Sequence, residues 1–147
     1  MKKLIFYCSI VFLACSCENE HPQTGNIVGR WELVEVYNPW TGTTSTEGVE
    51  DNLQTYQFMS NGTFKKTRVF DENERKEASG IYLTEKVPAY SSSNAKLYVN
   101  LTYTAGESIA SNCGEPDAEQ LVLRFSNRLD NFSATPCDGP GYSFAKK

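Results

Sequence analysis

From Arg30 onward, apolar and polar residues alternate with a period of two in runs of strand length, and no window shows a competing helical period. The clearest run sets Leu97, Val99, Leu101 and Tyr103 on one face against Lys96, Tyr98, Asn100 and Thr102 on the other, as in a strand with one buried side. Leu121, Leu123 and Phe125 repeat it. Tyr56 and Phe58 do so just before Asn61-Gly62, a pair that tolerates positive φ and therefore favours a tight hairpin. The pattern predicts eight strands, over 30–37, 53–59, 63–69, 78–85, 96–104, 120–126, 130–134 and 141–146. In the third of these, Lys65, Lys66 and Arg68 put charge on both faces.

Strands joined in succession send their connections to alternating ends of a sheet. The connections after the second and sixth strands, 60–62 and 127–129, are short. Those after the first, third, fifth and seventh, 38–52, 70–77, 105–119 and 135–140, are longer and share the opposite end. The connection 86–95, with Pro88 and Ser91-Ser92-Ser93, is long at the short-loop end, and the pattern does not account for it.

Composition adds location. The chain has 147 residues, 39% apolar and 12% aromatic, enough to fill one core. Its formal net charge of −4 leaves no basic surface to hold nucleic acid. Lys2 and Lys3 precede the apolar run 4–14, which is too short to span a bilayer as a helix but suits the core of an export signal. That run ends in Phe12-Leu13-Ala14-Cys15-Ser16-Cys17, which resembles the lipobox of bacterial lipoproteins, where a cysteine after small residues is acylated and becomes the new N-terminus. Cys15, preceded by Ala14, fits better than Cys17.

The expected organisation is a signal peptide over 1–14, a lipidated flexible tether over 15–28 and one folded domain over 29–147. The lipobox implies the lipid bilayer as a partner through an acyl anchor, and a place in the bacterial cell envelope, on the outer membrane. Glu18-Asn19-Glu20 resembles the surface-export signal of lipoproteins in some Gram-negative groups and equally suits a solvated tether.

With Cys8 in the leader and Cys15 or Cys17 taking lipid, only Cys113 and Cys137 remain for the folded part. Export makes a disulfide between them the expected state. The meander places both on the long-loop rim, two strands apart, within reach of a bridge. The sole histidine, His21, lies in the tether, so nucleophilic triads and histidine-metal sites lack a base or ligand in the domain. The acids near the long-loop rim, Glu35, Asp51, Glu72, Glu74, Glu77, Glu107, Glu115 and Asp117, read as solvated turn residues. Neither an enzyme, nor a metal site, nor a cofactor is expected.

Gly29-Arg30-Trp31, opening the first strand, resembles the Gly-x-Trp signature of lipocalins. Tyr56-Gln57-Phe58 with Asn61-Gly62-Thr63-Phe64 resembles a hairpin of small bacterial lipocalin-like domains, and Tyr142-Ser143-Phe144-Ala145-Lys146 supplies a closing strand. The resemblance implies an all-β, eight-stranded antiparallel up-and-down barrel. Trp31 would plug its closed end beneath a late-strand cation, either Arg124 or Lys146.

Closure removes the unpaired edges of an exported sheet. A barrel of eight strands is either packed solid or holds one small molecule. In the second case the aromatics Tyr56, Phe58, Phe64, Tyr82 and Tyr103 would line a pocket for an apolar or amphipathic ligand. Lys66 or Arg68, if turned inward, would pair an anionic head, although solvent is the ordinary place for both. Trp40, in the polar loop Asn38-Pro39-Trp40-Thr41-Gly42, would sit where lipocalins fold a lid. In the first case the chain would be an interaction protein with a filled barrel. Ser79-Gly80 with Tyr82 resembles, weakly, the inhibitory loop of lysozyme-inhibitor lipoproteins. A monomer is expected in either case.

Overall fold

Trp31 lies opposite Lys146, Leu33 opposite Phe144 and Tyr37 opposite Gly141, so the first strand and the last are hydrogen-bonded neighbours. The computed structural model describes residues 27–70, 74–88 and 94–147. Within them run β1 (Gly29–Asn38), β2 (Thr43–Ser45), β3 (Gln54–Phe58), β4 (Thr63–Val69), β5 (Arg75–Lys86), β6 (Ala95–Ala105), β7 (Ala118–Arg124), β8 (Arg128–Asn131) and β9 (Gly141–Lys146). Every pairing is antiparallel. The order β1-β3-β4-β5-β6-β7-β8-β9 closes on itself through β1 and β9, giving an eight-stranded up-and-down barrel with β2 as a short flap on the upper part of β1.

The expected signal peptide, the tether and Cys15 lie outside the described residues, apart from residues 27 and 28 at the tether's end. Residues 89–93 of the long connection 86–95 are also outside them.

Two differences from the sequence pattern have local causes. Residues 130–134 were expected to form a strand, but β8 is Arg128–Asn131. Beyond it Ser133 turns back to bond Asn131 Oδ1 and the Gln120 carbonyl, and Pro136 sits in a 3-10 turn, Thr135–Cys137. The flap β2 has no alternation to predict it. It forms because Asn38 Oδ1 accepts the N–H groups of Trp40 and Thr41, turning the chain back on β1.

The inward positions follow the two-residue period along each strand: Trp31 and Leu33; Tyr56 and Phe58; Phe64 and Lys66; Gly80 and Tyr82; Leu97 through Tyr103; Glu119 through Leu123; Leu129 and Asn131; Tyr142 and Phe144. A bulge between Leu33 and Glu35 restores this phase, so that Val36 again packs on the core opposite Tyr142. Gly80 stands at a second bulge. A Cβ there would overlap the carbonyl oxygen of Thr102 and come within 2.8 Å of the Phe64 ring, so β5 and β6 can approach this closely only at a glycine.

At the closed end Trp31 is buried, its Nε1 donates to the Ile27 carbonyl at 2.8 Å, and Lys146 Nζ lies 5.7 Å from its ring centroid. Lys146, rather than Arg124, supplies the late-strand cation; Arg124 pairs with Asp130 at 2.7 Å.

Candidate functional site

The upper half of the barrel interior is polar. Lys66 from β4 and Glu119 from β7 face each other across it, with Nζ to Oε1 at 2.7 Å and no exposed side-chain surface on either. Tyr56 and Tyr103 both donate their hydroxyls to Glu119 Oε2, at 2.6 and 2.7 Å. Asn131 Nδ2 donates to the Tyr56 oxygen at 3.4 Å. Lys66 also donates to Ser111 Oγ at 3.3 Å, and the backbone N–H of Ser111 donates to Glu119 Oε1. The carboxylate thus accepts four hydrogen bonds, which offsets much of the cost of burying its charge.

Burial pushes the Lys66 ammonium below its ordinary value, against the pull of Glu119. Burial, reinforced by the negative charge of Glu119, pushes the Tyr56 and Tyr103 hydroxyls well up.

Ser111 belongs to the connection between β6 and β7, which folds over the mouth. Gly106, at φ 73°, turns the chain inward against β5, and the 3-10 turn Glu107–Ile109 drops Ile109 into the core. The Cys113–Cys137 disulfide, with a Cα–Cα distance of 5.7 Å, ties this plug to the connection before β9. Both cysteines lie on the expected rim.

The five interior aromatics anticipated as pocket lining do come together. Phe58 meets Tyr82 edge-on at 5.1 Å, Phe64 meets Tyr103 at 5.0 Å, and Tyr56 stacks on Phe58 at 5.8 Å. In this structure they pack on one another, and the Tyr56 and Tyr103 hydroxyls are taken up by Glu119. Arg68 stands at the rim, donating to Asn52 Oδ1 at 3.2 Å with its guanidinium 4.6 Å from the Phe70 ring centroid. Trp40 lies apart from all of these, 77% exposed at the turn of the flap. Ser79-Gly80 and Tyr82, read as resembling an inhibitory loop, lie within β5, where Gly80 and Tyr82 face the core. Their alternation makes a strand, and no loop is present there.

Glu119, Ser111, Asn131 and Gln54 were not singled out from sequence. Glu119 shares the parity of Leu121 and Leu123, Asn131 that of Leu129, and Gln54 that of Tyr56 and Phe58, so the inward direction of each was available. Ser111 lies in a loop and carried no such signal.

A surface cleft lies on the wall beside β1 and β3. The ladder between β1 and β3 ends at Glu32 and Thr55, and the ladder between β1 and β2 begins at Val36 and Ser45. Where the strands part, a cleft of about 250 Å³ is lined by outward residues such as Arg30, Thr67, Val69 and Arg75 and by the inward Leu33 and Gln54. Broader grooves lie on the outside, one beside the disulfide and one at the closed end. Among the described residues no three His, Cys, Asp or Glu side chains come together in a metal site.

No family model and no curated protein matches the chain. Among solved structures it is similar to a lipocalin-like protein from Bacteroides uniformis, with a TM-score of 0.52 at 15% identity over 84% of this chain and 100% of that one. At that identity the likeness establishes the fold alone, a lipocalin-like closed barrel.

Proposed function

We propose that this is a membrane-tethered envelope lipoprotein that binds one small apolar or amphipathic molecule at the open end of its barrel. The observation that carries the reading is the buried polar cluster under the mouth, Lys66 and Glu119 with Tyr56, Tyr103 and Ser111. A barrel built only for stability gains little from a buried ion pair, since an apolar pair of like volume is often as stable or more so. Here the pair sits beneath a loop rather than beneath the wall. Ligands are commonly held by such a few fixed polar groups within an apolar cavity.

In this reading the β6–β7 connection is the lid. Tyr56, Phe58, Phe64, Tyr82 and Tyr103 form the floor, and Arg68 and Trp40 meet the ligand on the way in. The acyl group on Cys15 supplies the anchor. Because β1 starts at the closed end, a tether entering there turns the mouth away from the bilayer.

Native mass spectrometry of the protein extracted from its own envelope tests the ligand. A co-purifying small molecule is expected, and a ligand-free spectrum in every preparation overturns the reading. Membrane fractionation tests the anchor: Cys15→Ala is expected to release the protein, whereas Cys17→Ala is not.

A second reading, an interaction protein with a filled barrel, is favoured by one feature. Ile81 and Leu83 on the outer face of β5 are 49% and 72% exposed. Cross-linking in whole cells from a probe at Leu83 would capture a protein partner in that case.

A further inference from the structure

Consecutive strands from β5 to β9 each carry a cation at or next to the terminus that reaches the closed end: Lys86, Lys96, Arg124, Arg128 and Lys146. They form an arc around that end. The rim has the opposite sign, because its connections carry Glu47, Glu50, Asp51, Glu107, Glu115 and Asp117. A formal net charge of −4 therefore hides a polarity along the barrel axis, acidic at the mouth and basic at the closed end. Like charges gathered at one end repel each other, a cost that an oppositely charged surface would offset.

The acids near the arc do not cancel it. Asp130 holds Arg124 at 2.7 Å, and Glu35 reaches Arg128 only at 3.4 Å, an exposed contact that contributes little and leaves the cation available. Lys86 and Lys96 make no ion pair among the described residues.

Phe125 stands in the middle of the arc, in the turn between Arg124 and Arg128, and is 66% exposed. It serves no core there. A ring between two cations suits the boundary of a bilayer, where the ring enters the acyl region while the cations meet headgroup phosphates. The chain also joins the barrel at this end, since β1 starts there and the Ile27 carbonyl is bound by Trp31 Nε1.

We propose that the closed end is a docking face for an anionic phospholipid bilayer, with the arc on the headgroups and Phe125 as its apolar insert. The assignment rests on the proposed tether at Cys15, which brings this end to the membrane. It adds that the barrel itself touches lipid and that the charge of the lipid governs the contact.

The test measures amide exchange in the protein purified from its own envelope and reconstituted with two kinds of vesicle, phosphatidylcholine alone and one part phosphatidylglycerol to two of phosphatidylcholine. With phosphatidylglycerol the turns 59–62 and 125–127 are expected to exchange on the order of fivefold more slowly, the protection given by a face seated about four-fifths of the time. The rim segment 106–117 should not change. Salt at about 1 M, where the Debye length falls to about 3 Å, should erase the difference. Lys86→Glu with Lys96→Glu is expected to abolish the slowing, and Phe125→Ser to weaken it. Equal exchange at the closed end in both vesicles, slowing at the rim instead, or slowing that survives high salt or the double charge reversal overturns the assignment. If the protein does not sediment with neutral vesicles, the tether falls, while slowing by the anionic ones still supports the docking face. If it sediments with both and exchange does not differ, the docking face falls and the tether stands.

Discussion

Lys66 Nζ and Glu119 Oε1 meet at 2.7 Å inside the barrel, from strands three apart in the sheet order and with no solvent on either side chain. Their partners, Tyr56, Tyr103 and Ser111, are held by the same carboxylate, so the pair organises both the interior tyrosines and the loop above them.

Removing one member strands the other. Glu119→Leu is expected to cost about 3–5 kcal/mol, because an uncompensated ammonium stays buried, whereas Lys66→Met with Glu119→Leu together should come back close to the parent stability. Urea unfolding of the three proteins measures this. A double variant no better than the single one would show that the hydrogen bonds to Tyr56, Tyr103 and Ser111 matter more than the charge.

The same network sets an alkaline signature. The Lys66 value is lowered on folding from about 10.5, so just below that pH the unfolded chain holds a proton the folded one lacks, and stability rises with pH. The Tyr56 and Tyr103 values are raised, so above about pH 10 the folded chain holds protons the unfolded one has lost, and stability falls as pH climbs further. Denaturation midpoints from pH 8 to 12 should therefore pass through a maximum, and Tyr56→Phe with Tyr103→Phe should flatten the descent.

Reducing Cys113–Cys137 releases the plug from the β8–β9 connection. With 24 residues of sequence separation, the bridge is worth about 3 kcal/mol in the chain-entropy account. Replacing both cysteines by serine should lower stability by that order. Amide exchange should quicken in 106–117 more than in the strands, and uniform quickening would contradict the lid role given to that connection.

Gly80→Ala should destabilise by roughly 1–3 kcal/mol, since the added methyl meets the Thr102 carbonyl and the Phe64 ring and the backbone oxygen cannot turn aside. Ser79→Ala, one position away and facing solvent, should be neutral and serves as the control.

The two tryptophans report on separate regions. Trp31 is sealed at the closed end and Trp40 stands on the flap. Acrylamide should quench a red-shifted component that disappears in Trp40→Phe. If a ligand seats under the flap, its addition should protect that component in the parent protein and leave the Trp40→Phe spectrum unchanged.

The alternation of Leu97 through Tyr103, the Asn61-Gly62 turn and the paired cysteines on one rim were legible because each is a local rule: a period of two, a turn chemistry, a parity of connections. The same rule carried the inward set Tyr56, Phe58, Phe64 and Tyr82. It would also have carried Lys66 and Glu119 had their charge not argued for solvent. Only the folded chain decides that those charges meet inside the barrel, because a Lys is expected outside unless an acid waits opposite, and the acid lies 53 residues away. The flap β2, the descent of Ile109 into the mouth and the parting of β1 from β3 at Gln54 are likewise tertiary. Each depends on which backbone edges remain unpaired after closure, and the sequence by itself determines a strand's faces but not its neighbours.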